Sequence, residues 1–525
     1  MTNLIFSKKP TQTKPKINVR KIIALLLIIG IFFRFYNLDQ KVYWYDETMT
    51  SLRISGYTST DLVEEVYNGE VISVENLLQN YQYPNNNKSL NDSIKALAAH
   101  PEHSPLYYLM ARFWLQIFGN SVFNIRLLSA FISLLIFPAI YWLCLELFNS
   151  QLISWVAVSL IAVSPFHVLY AQEAREYSLW TVSILVSCAA LLWAIRRKKI
   201  LPWIIYGITV SFGLYTHPFS AFVFVGHGIY VLAQEKWRFN KTFRNYIISS
   251  LFGILLFLPW LLVVINNFSN LVENTDHVNL VRKGFLPLFW GQNLSRVFID
   301  VNQGFSPFSP LHYLSAFLTG YALYYLCKTA PKAGLFVITL IGVTGIALIA
   351  PDIILSGRRS SIGRYAFPCY LGIQIAVSYL ITNKLKKTYH DIRYINTYKK
   401  WRYIAIALIV SGILSCAVSS QIPTWWNKSA SKTRHNPEVA RIINQSENPL
   451  VISDIRPGEL LGLTHSLQNT VNLQLVSSGN IPQISQNYQE IFIYRPSDEL
   501  RAKFEAQYNI EKIQSWLWEL KKIIK

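Results

Sequence analysis

Charge is scarce in this chain: 15% of its 525 residues are charged, and acidic side chains number 29 against 49 lysines and arginines. With 52% hydrophobic residues and a mean hydropathy of +0.26, that scarcity excludes an ordinary soluble enzyme. Cysteine is sparse too. Cys144, Cys188, Cys327, Cys369 and Cys416 fall within or beside apolar runs without metal-type spacing, so they read as core packing and leave the redox compartment open. No basic nucleic-acid module accompanies the net charge of +20; the cations sit mostly between apolar runs, where they report topology. No internal repeat is visible, and the Asn85-Asn86-Asn87 neighbourhood reads as loop. No small-residue cleavage site follows the run Ile22 to Phe33, which is preceded by Lys8, Lys9, Lys14, Lys16, Arg20 and Lys21. That run is therefore expected to stay as a cytoplasm-anchored first helix.

What is abundant is apolar sequence in runs near the roughly 20 residues that span a bilayer. Eleven spans are predicted, at about 21–37, 123–147, 152–170, 176–195, 201–216, 218–234, 245–265, 309–328, 333–351, 365–383 and 402–420. Leu106 to Phe118 is short and carries Arg112, so it reads as a helix at the interface. Parity tests this choice. With the N-terminus inside, Arg196 to Lys199, Lys236 to Arg244, Lys328 to Lys332 and the Lys384 to Arg402 loop all become cytoplasmic, as the positive-inside rule requires. The loop 38–122, Gln172 to Arg175, Thr216 to Pro218, the loop of about 266–308 and Asp352 to Arg364 then share the opposite face. The predicted architecture is an α-helical polytopic membrane protein of about eleven spans. A basic cytoplasmic segment (1–20) precedes a transmembrane catalytic domain (21–420), and a small non-cytoplasmic α/β domain (421–525) follows. In that domain strand-like stretches (Leu450 to Ser453, Val471 to Val476, Ile491 to Tyr494) alternate with helix-like ones (Pro437 to Asn444, Ser497 to Tyr508).

The chemistry-bearing residues gather on the non-cytoplasmic face. Asp46-Glu47, in Tyr43-Trp44-Tyr45-Asp46-Glu47, stands just outside the first span; carboxylates beside hydrocarbon are costly and persist for function, although a charge at an interface also simply ends a helix. Partial desolvation suits Asp46 to act as general base on a hydroxyl. Glu47 orients the acceptor, holds a metal with His103, or caps a helix; the residues alone leave these open. Arg358, Arg359 and Arg364 break the positive-inside pattern, as anion binding demands, against the plainer reading of a solvated loop. Arg175 holds a phosphate, orients Asp46, or only pairs with a neighbouring glutamate. Glu173, in the same turn, His103, just before the interfacial helix, Tyr107, in its first turn, and His217 are further substrate-site candidates. Glu47, His103 and His217 are weak candidates for a divalent ion.

Four motifs in order, Tyr45-Asp46-Glu47, His103-Ser104-Pro105-Leu106-Tyr107-Tyr108, Tyr170-Ala171-Gln172-Glu173-Ala174-Arg175-Glu176-Tyr177 and Arg364-Tyr365-Ala366-Phe367-Pro368, resemble the GT-C glycosyltransferases. The likeness is to the protein O-mannosyltransferase type (family 39), including bacterial relatives and the aminoarabinose transferases, and covers roughly residues 20–420. Ser104 departs from the common His-Pro-Pro form. The resemblance implies sugar transfer from a polyprenyl-phosphate donor to a lipid, glycan or protein hydroxyl, with inversion, on the non-cytoplasmic side of a plasma (cell inner) membrane. Asp46 is then the base, Arg358, Arg359 and Arg364, with Arg175 second, hold the carrier phosphate, and no cofactor is certain. A transporter or flippase of lipid-linked or anionic substrates is the alternative; it fits less well because the polar residues lie in loops and no paired repeat is visible. A non-catalytic scaffold leaves the acidic pair unexplained.

Overall fold

The structure is a computed structural model that describes residues 19–276, 283–304, 306–389, 395–477, 481–484 and 487–521. The basic segment through residue 18, residues 277–282 and 305 of the 266–308 loop, and residues 390–394 of the 384–402 loop lie outside the described residues.

Each predicted span coincides with helix, one of them in two pieces. In chain order the helices are α1 (Val19–Phe35), α2 (Tyr45–Ile54), α3 (Ser59–Val66), α4 (Val74–Tyr81), α5 (Leu90–Ala98) and α6 (Leu106–Phe118). Next come α7 (Val122–Leu134) and α8 (Ile136–Phe148), continuous as one apolar stretch of 27 residues, then α9 (Gln151–Ala162), α10 (Pro165–Ala171), α11 (Tyr177–Arg197), α12 (Ile200–Thr216) and α13 (Ser220–Gln234). The bundle continues with α14 (Lys241–Asn266), α15 (Phe268–Asp276), α16 (Leu286–Ser295), α17 (Pro310–Thr329), α18 (Pro331–Leu355), α19 (Phe367–Tyr389) and α20 (Ile395–Gln421). Among the described residues six stretches are long and apolar enough to cross a bilayer, or seven if the bent pair α9–α10 is one span. The helices α1, α12 and α13, of 17, 17 and 15 residues, are shorter, and α17 is rich in tyrosine. The apolar windows of α11 and α19 are 83% and 89% buried, which makes these the central helices; those of α14 and α20 are 22% and 28% buried and turn their aliphatic faces outward, as contact with lipid requires.

The expected single span 152–170 is broken, with α10 bent 62° from α9. Pro165 is the cause. Its ring disfavours helical geometry at Ser164, which is extended (φ −70°, ψ 118°), and it supplies no N–H to continue the ladder. The carbonyls this break leaves free are taken by a buried arginine of α1: Arg34 donates to Ile161 O and Ala162 O at 3.3 and 2.7 Å. Gly30 permits that approach, since a Cβ there would stand 2.4 Å from Ala162 O.

Beyond α20 follow α21 (Ala430–Thr433), α22 (Asn436–Ile443), α23 (Pro457–Thr464) and α24 (Asp498–Gln507). They pack on a mixed sheet formed by β1 (Asn68–Ser73), β2 (Pro449–Ser453), β3 (Asn472–Val476), β4 (Glu490–Tyr494), β5 (Asn509–Gln514) and β6 (Leu517–Lys521), in the order β1-β3-β2-β4-β6-β5. The central strand β2 is parallel to β3 and β4 and buried at all five residues, as a strand covered on both faces must be. The first strand comes from the loop 38–122: β1 pairs antiparallel with β3, with Val71 opposite Gln474 and Ser73 opposite Asn472. Loop and tail are thus one folded unit over one end of the bundle. Within it α2 packs against α23, where Gly458 is required because a Cβ would meet the Tyr45 ring at 2.6 Å.

Candidate active site

The site begins at the first turn of α2. Trp44 is extended and caps the helix, and Asp46 and Glu47 occupy the first turn, where the helix dipole favours negative charge. The two adjacent carboxylates have opposite environments. The Glu47 side chain is 0% exposed, accepting 2.8 Å bonds from Arg126 Nε and Nη2, one from Lys428 Nζ at 2.9 Å and one from the Ala174 N–H at 2.9 Å. Burial alone would raise its pKa, but Arg126 and Lys428 hold it down at about 2. Every lone-pair direction of Glu47 is taken by a cation or an N–H. It is the pin that fixes the start of α2, with no face left for an acceptor or an ion.

Arg126, on α7, also donates to the carbonyls of Leu38, Lys41 and Val42 at 2.7, 2.9 and 2.9 Å, so one guanidinium stitches the chain from residue 38 to 47. Sequence reasoning missed it, although a lone arginine inside an apolar span always demands a partner.

Asp46 is 19% exposed and pairs with Arg364 through Oδ2 and Nη2 at 3.1 Å. Its carbonyl accepts from Arg175 Nη1 at 3.3 Å, and Arg175 also binds Thr50 Oγ1 at 3.2 Å and Glu176 Oε1 at 3.1 Å. Arg175 thus orients α2 and pairs with its neighbour, and its buried Nε has no partner among the described residues. The Nε of Arg364 is likewise buried without a partner, while the guanidinium lies 5.5 Å from the Trp44 ring. The other two arginines of the expected phosphate set point elsewhere. Arg358 and Arg359 are exposed at a short turn whose N–H groups, at Arg359 and Ser360, bind the buried Asp352 carboxylate at 3.0 and 2.6 Å, so of Arg358, Arg359 and Arg364 it is Arg364 that pairs with the Asp46 carboxylate.

Glu173 is fully buried between α10 and α11. Its Oε1 accepts from Asn427 Nδ2 at 2.8 Å and lies 3.5 Å from Lys428 Nζ; Oε2 has no partner among the described residues. Burial raises its pKa to about 7, with Lys428 opposing and Glu47 adding to the rise. His103 lies beside Tyr108, with ring centres 5.8 Å apart, and 3.7 Å from Glu102. Burial first, then Arg53 and Arg175, push its pKa well below the usual histidine range. His217 stacks on Trp180 at 3.9 Å and accepts the Phe219 N–H through Nδ1; burial with nearby arginines lowers it to about 3. Both histidines are neutral at pH 7. Tyr107 shares a 2.7 Å hydrogen bond with Ser129 and faces α7 as a core residue, whereas Tyr108 bonds Glu176 at 3.5 Å. Among the described residues no three His, Cys, Asp or Glu side chains come together as a metal site, and Glu47 is already saturated. Ser104 bonds Leu214 O at 2.7 Å, tying the start of α6 to the end of α12.

Two further arginines escaped the sequence reading. Arg53, on the same α2 face as Asp46 and Thr50 and about one turn beyond Thr50, is 5% exposed, and its Nε and Nη1 lack partners among the described residues. Arg296 lies 3.9 Å over the Trp426 ring. Buried guanidinium donors without partners among the described residues, on Arg53, Arg175 and Arg364, together with the aromatic group of Tyr170, Tyr177 and Phe367, are chemically suited to an anionic ligand carrying an apolar part.

Residues 100–263 match the family model described as dolichyl-phosphate-mannose-protein mannosyltransferase. No sequence among the curated proteins matches the chain. In fold, it is similar to ArnT from Cupriavidus metallidurans bound to undecaprenyl phosphate, at 13% identity and a TM-score of 0.55, over 95% of this chain and 97% of that one. The apo state of the same protein matches at 12% identity and 0.55, over 96% and 98%. The apo oligosaccharyltransferase of Archaeoglobus fulgidus matches at 13% identity and 0.50, over 88% of this chain and 65% of that one. With its apolar helices and the acidic pair at one end of the bundle, the chain is a multi-pass membrane protein with the GT-C fold of glycosyltransferases.

Proposed function

We propose that this protein transfers a sugar from a polyprenyl-phosphate carrier to a hydroxyl of a lipid, glycan or protein acceptor. Transfer takes place on the non-cytoplasmic side of the plasma (cell inner) membrane, with inversion at the anomeric carbon. The observation that carries the reading is the Asp46–Arg364 pair: a partly exposed carboxylate beside a fully buried, saturated one, held by an arginine that keeps a donor open. The undecaprenyl phosphate bound to a protein of the same fold supports the donor class.

On this reading Arg364 is shared. A carrier phosphate pairing with the partly exposed Arg364 guanidinium, whose Nε has no partner among the described residues, draws it from Asp46 and leaves the carboxylate to the acceptor. The acceptor O–H proton passes to Asp46 as its oxygen bonds to the anomeric carbon, and the bond from that carbon to the phosphate oxygen breaks. The carrier leaves as polyprenyl phosphate, its charge held by the arginines. Glu47 positions Asp46 and Glu173 lies behind it, while the loop 38–122 and residues 421–525 roof the site.

Incubating purified full-length protein in lipid with a panel of labelled polyprenyl-phosphate sugars and membrane extract tests this reading. Carrier-dependent transfer that Asp46→Asn abolishes is expected. Absence of transfer from every carrier, with undecaprenyl phosphate failing to bind, overturns it.

A further inference from the structure

Lys428 lies in the linker between α20 and the mixed sheet, far from every motif in the sequence. The linker is registered closely. The Val42 N–H donates to Pro423 O at 3.0 Å, and the indole N–H groups of Trp425 and Trp426 both bind Asp300 Oδ2, at 2.8 and 2.6 Å. A single turn of 3-10 helix, Trp426–Lys428, then directs two side chains inward. Asn427 reaches Glu173 Oε1, and Lys428 reaches Glu47 Oε2 and Glu173 Oε1. An ammonium with no exposure is costly unless paired, and this one is paired twice.

The two partners depend on it unequally. Glu47 keeps Arg126 if Lys428 is removed, but among the described residues Glu173 keeps only the neutral Asn427 in direct contact. The charged and titratable groups acting on Glu173 are Asp46 and Glu47 of α2, Arg126 of α7, Tyr170 of α10, Arg364 and Lys428. Because Asp46 precedes Glu47 in one helical turn, a shift of Glu47 moves Asp46 relative to Arg364.

We propose that Lys428 is a positioning residue of the transfer site: by bridging Glu47 and Glu173 it couples the docking of residues 421–525 to the placement of Asp46. The tail is on this view part of the catalytic unit. The kinetic arm of the inference rests on the glycosyl-transfer reading above; the titration arm does not.

The test uses full-length protein in lipid with Lys428→Met, Lys428→Arg and Asn427→Ala. Removing Lys428 should lower kcat about 10-fold or more, with KM for the labelled carrier nearly unchanged. The acidic limb of the kcat profile should move to higher pH, and Lys428→Arg should recover part of both effects. In parallel, infrared difference spectra referenced to Glu173→Gln follow the Glu173 carboxyl, and its titration should move to higher pH in Lys428→Met. If that variant does not fold, Asn427→Ala carries the test, with a smaller shift of the same sign expected. An unchanged Glu173 titration and an unchanged pH profile in a folded variant overturn the proposal while leaving sugar transfer standing. If no carrier supports transfer, a shifted titration still supports the bridge, and only the function above fails.

Discussion

Asp46 and Glu47 are neighbours in sequence with the same functional group, and their difference is entirely one of surroundings. Asp46→Asn keeps the shape of the group that faces Arg364 but removes its capacity to take a proton. Turnover should fall by about 10²-fold or more, with undecaprenyl phosphate binding retained, measured by carrier-dependent transfer and by lipid-binding titration. Replacing Arg364 by Ala should instead weaken binding of that phosphate, and Lys, which lacks the planar fork, should restore it only in part. Unchanged binding in Arg364→Ala removes the residue from the donor site. Glu173 adds a pH signature. Its pKa is raised to about 7 in the folded protein, so between roughly pH 4.5 and 7 the native state holds a proton that the unfolded chain releases. This contribution makes stability fall as pH rises through that window. Melting curves of Glu173→Gln should accordingly lose less stability between pH 5 and 8 than those of the unaltered protein.

Among the elements, α2 and the α9–α10 break are held by arginines that the apolar pattern conceals. Arg126→Met leaves Glu47 buried with one cation fewer and frees three carbonyls between residues 38 and 42. Loss of such a buried pair costs about 3–5 kcal/mol. The variant should show a lowered melting temperature and lost transfer together, and a folded, active Arg126→Met would contradict the role of Glu47 as a pin. At the contact of α2 with α23, Gly458→Ala should cost about 1–3 kcal/mol through overpacking against Tyr45 and Met49, read from the same melts. The helical positions were legible because long apolar runs allow few alternatives in a membrane. The break at Pro165 was not legible, because Pro259 and Pro351 stand in similar apolar runs inside unbroken helices. What no local pattern revealed was the partner of each buried charge.

For the whole molecule, topology is the first matter to check. Lys198→Cys and Lys387→Cys should be labelled from the cytoplasmic side and Ser466→Cys from the opposite side; four of the five native cysteines are buried and contribute little background. Finding Lys387 and Ser466 on one side contradicts the eleven-span arrangement. The sequence by itself determined that the chain carries many membrane-length apolar helices and that strand- and helix-forming segments follow them. Those properties reside in run length, residue period and charge between runs, all of which are local. The tertiary structure alone decided that Asp46 faces a cation with an open donor while Glu47 is sealed. It also decided that Arg364 rather than Arg358 or Arg359 turns inward, that β1 joins the distant tail, and that Lys428 reaches a carboxylate 381 residues earlier. A buried charge must be matched by an opposite one, but the match is made in space, and nothing in the spacing of residues along the chain records where it will be found.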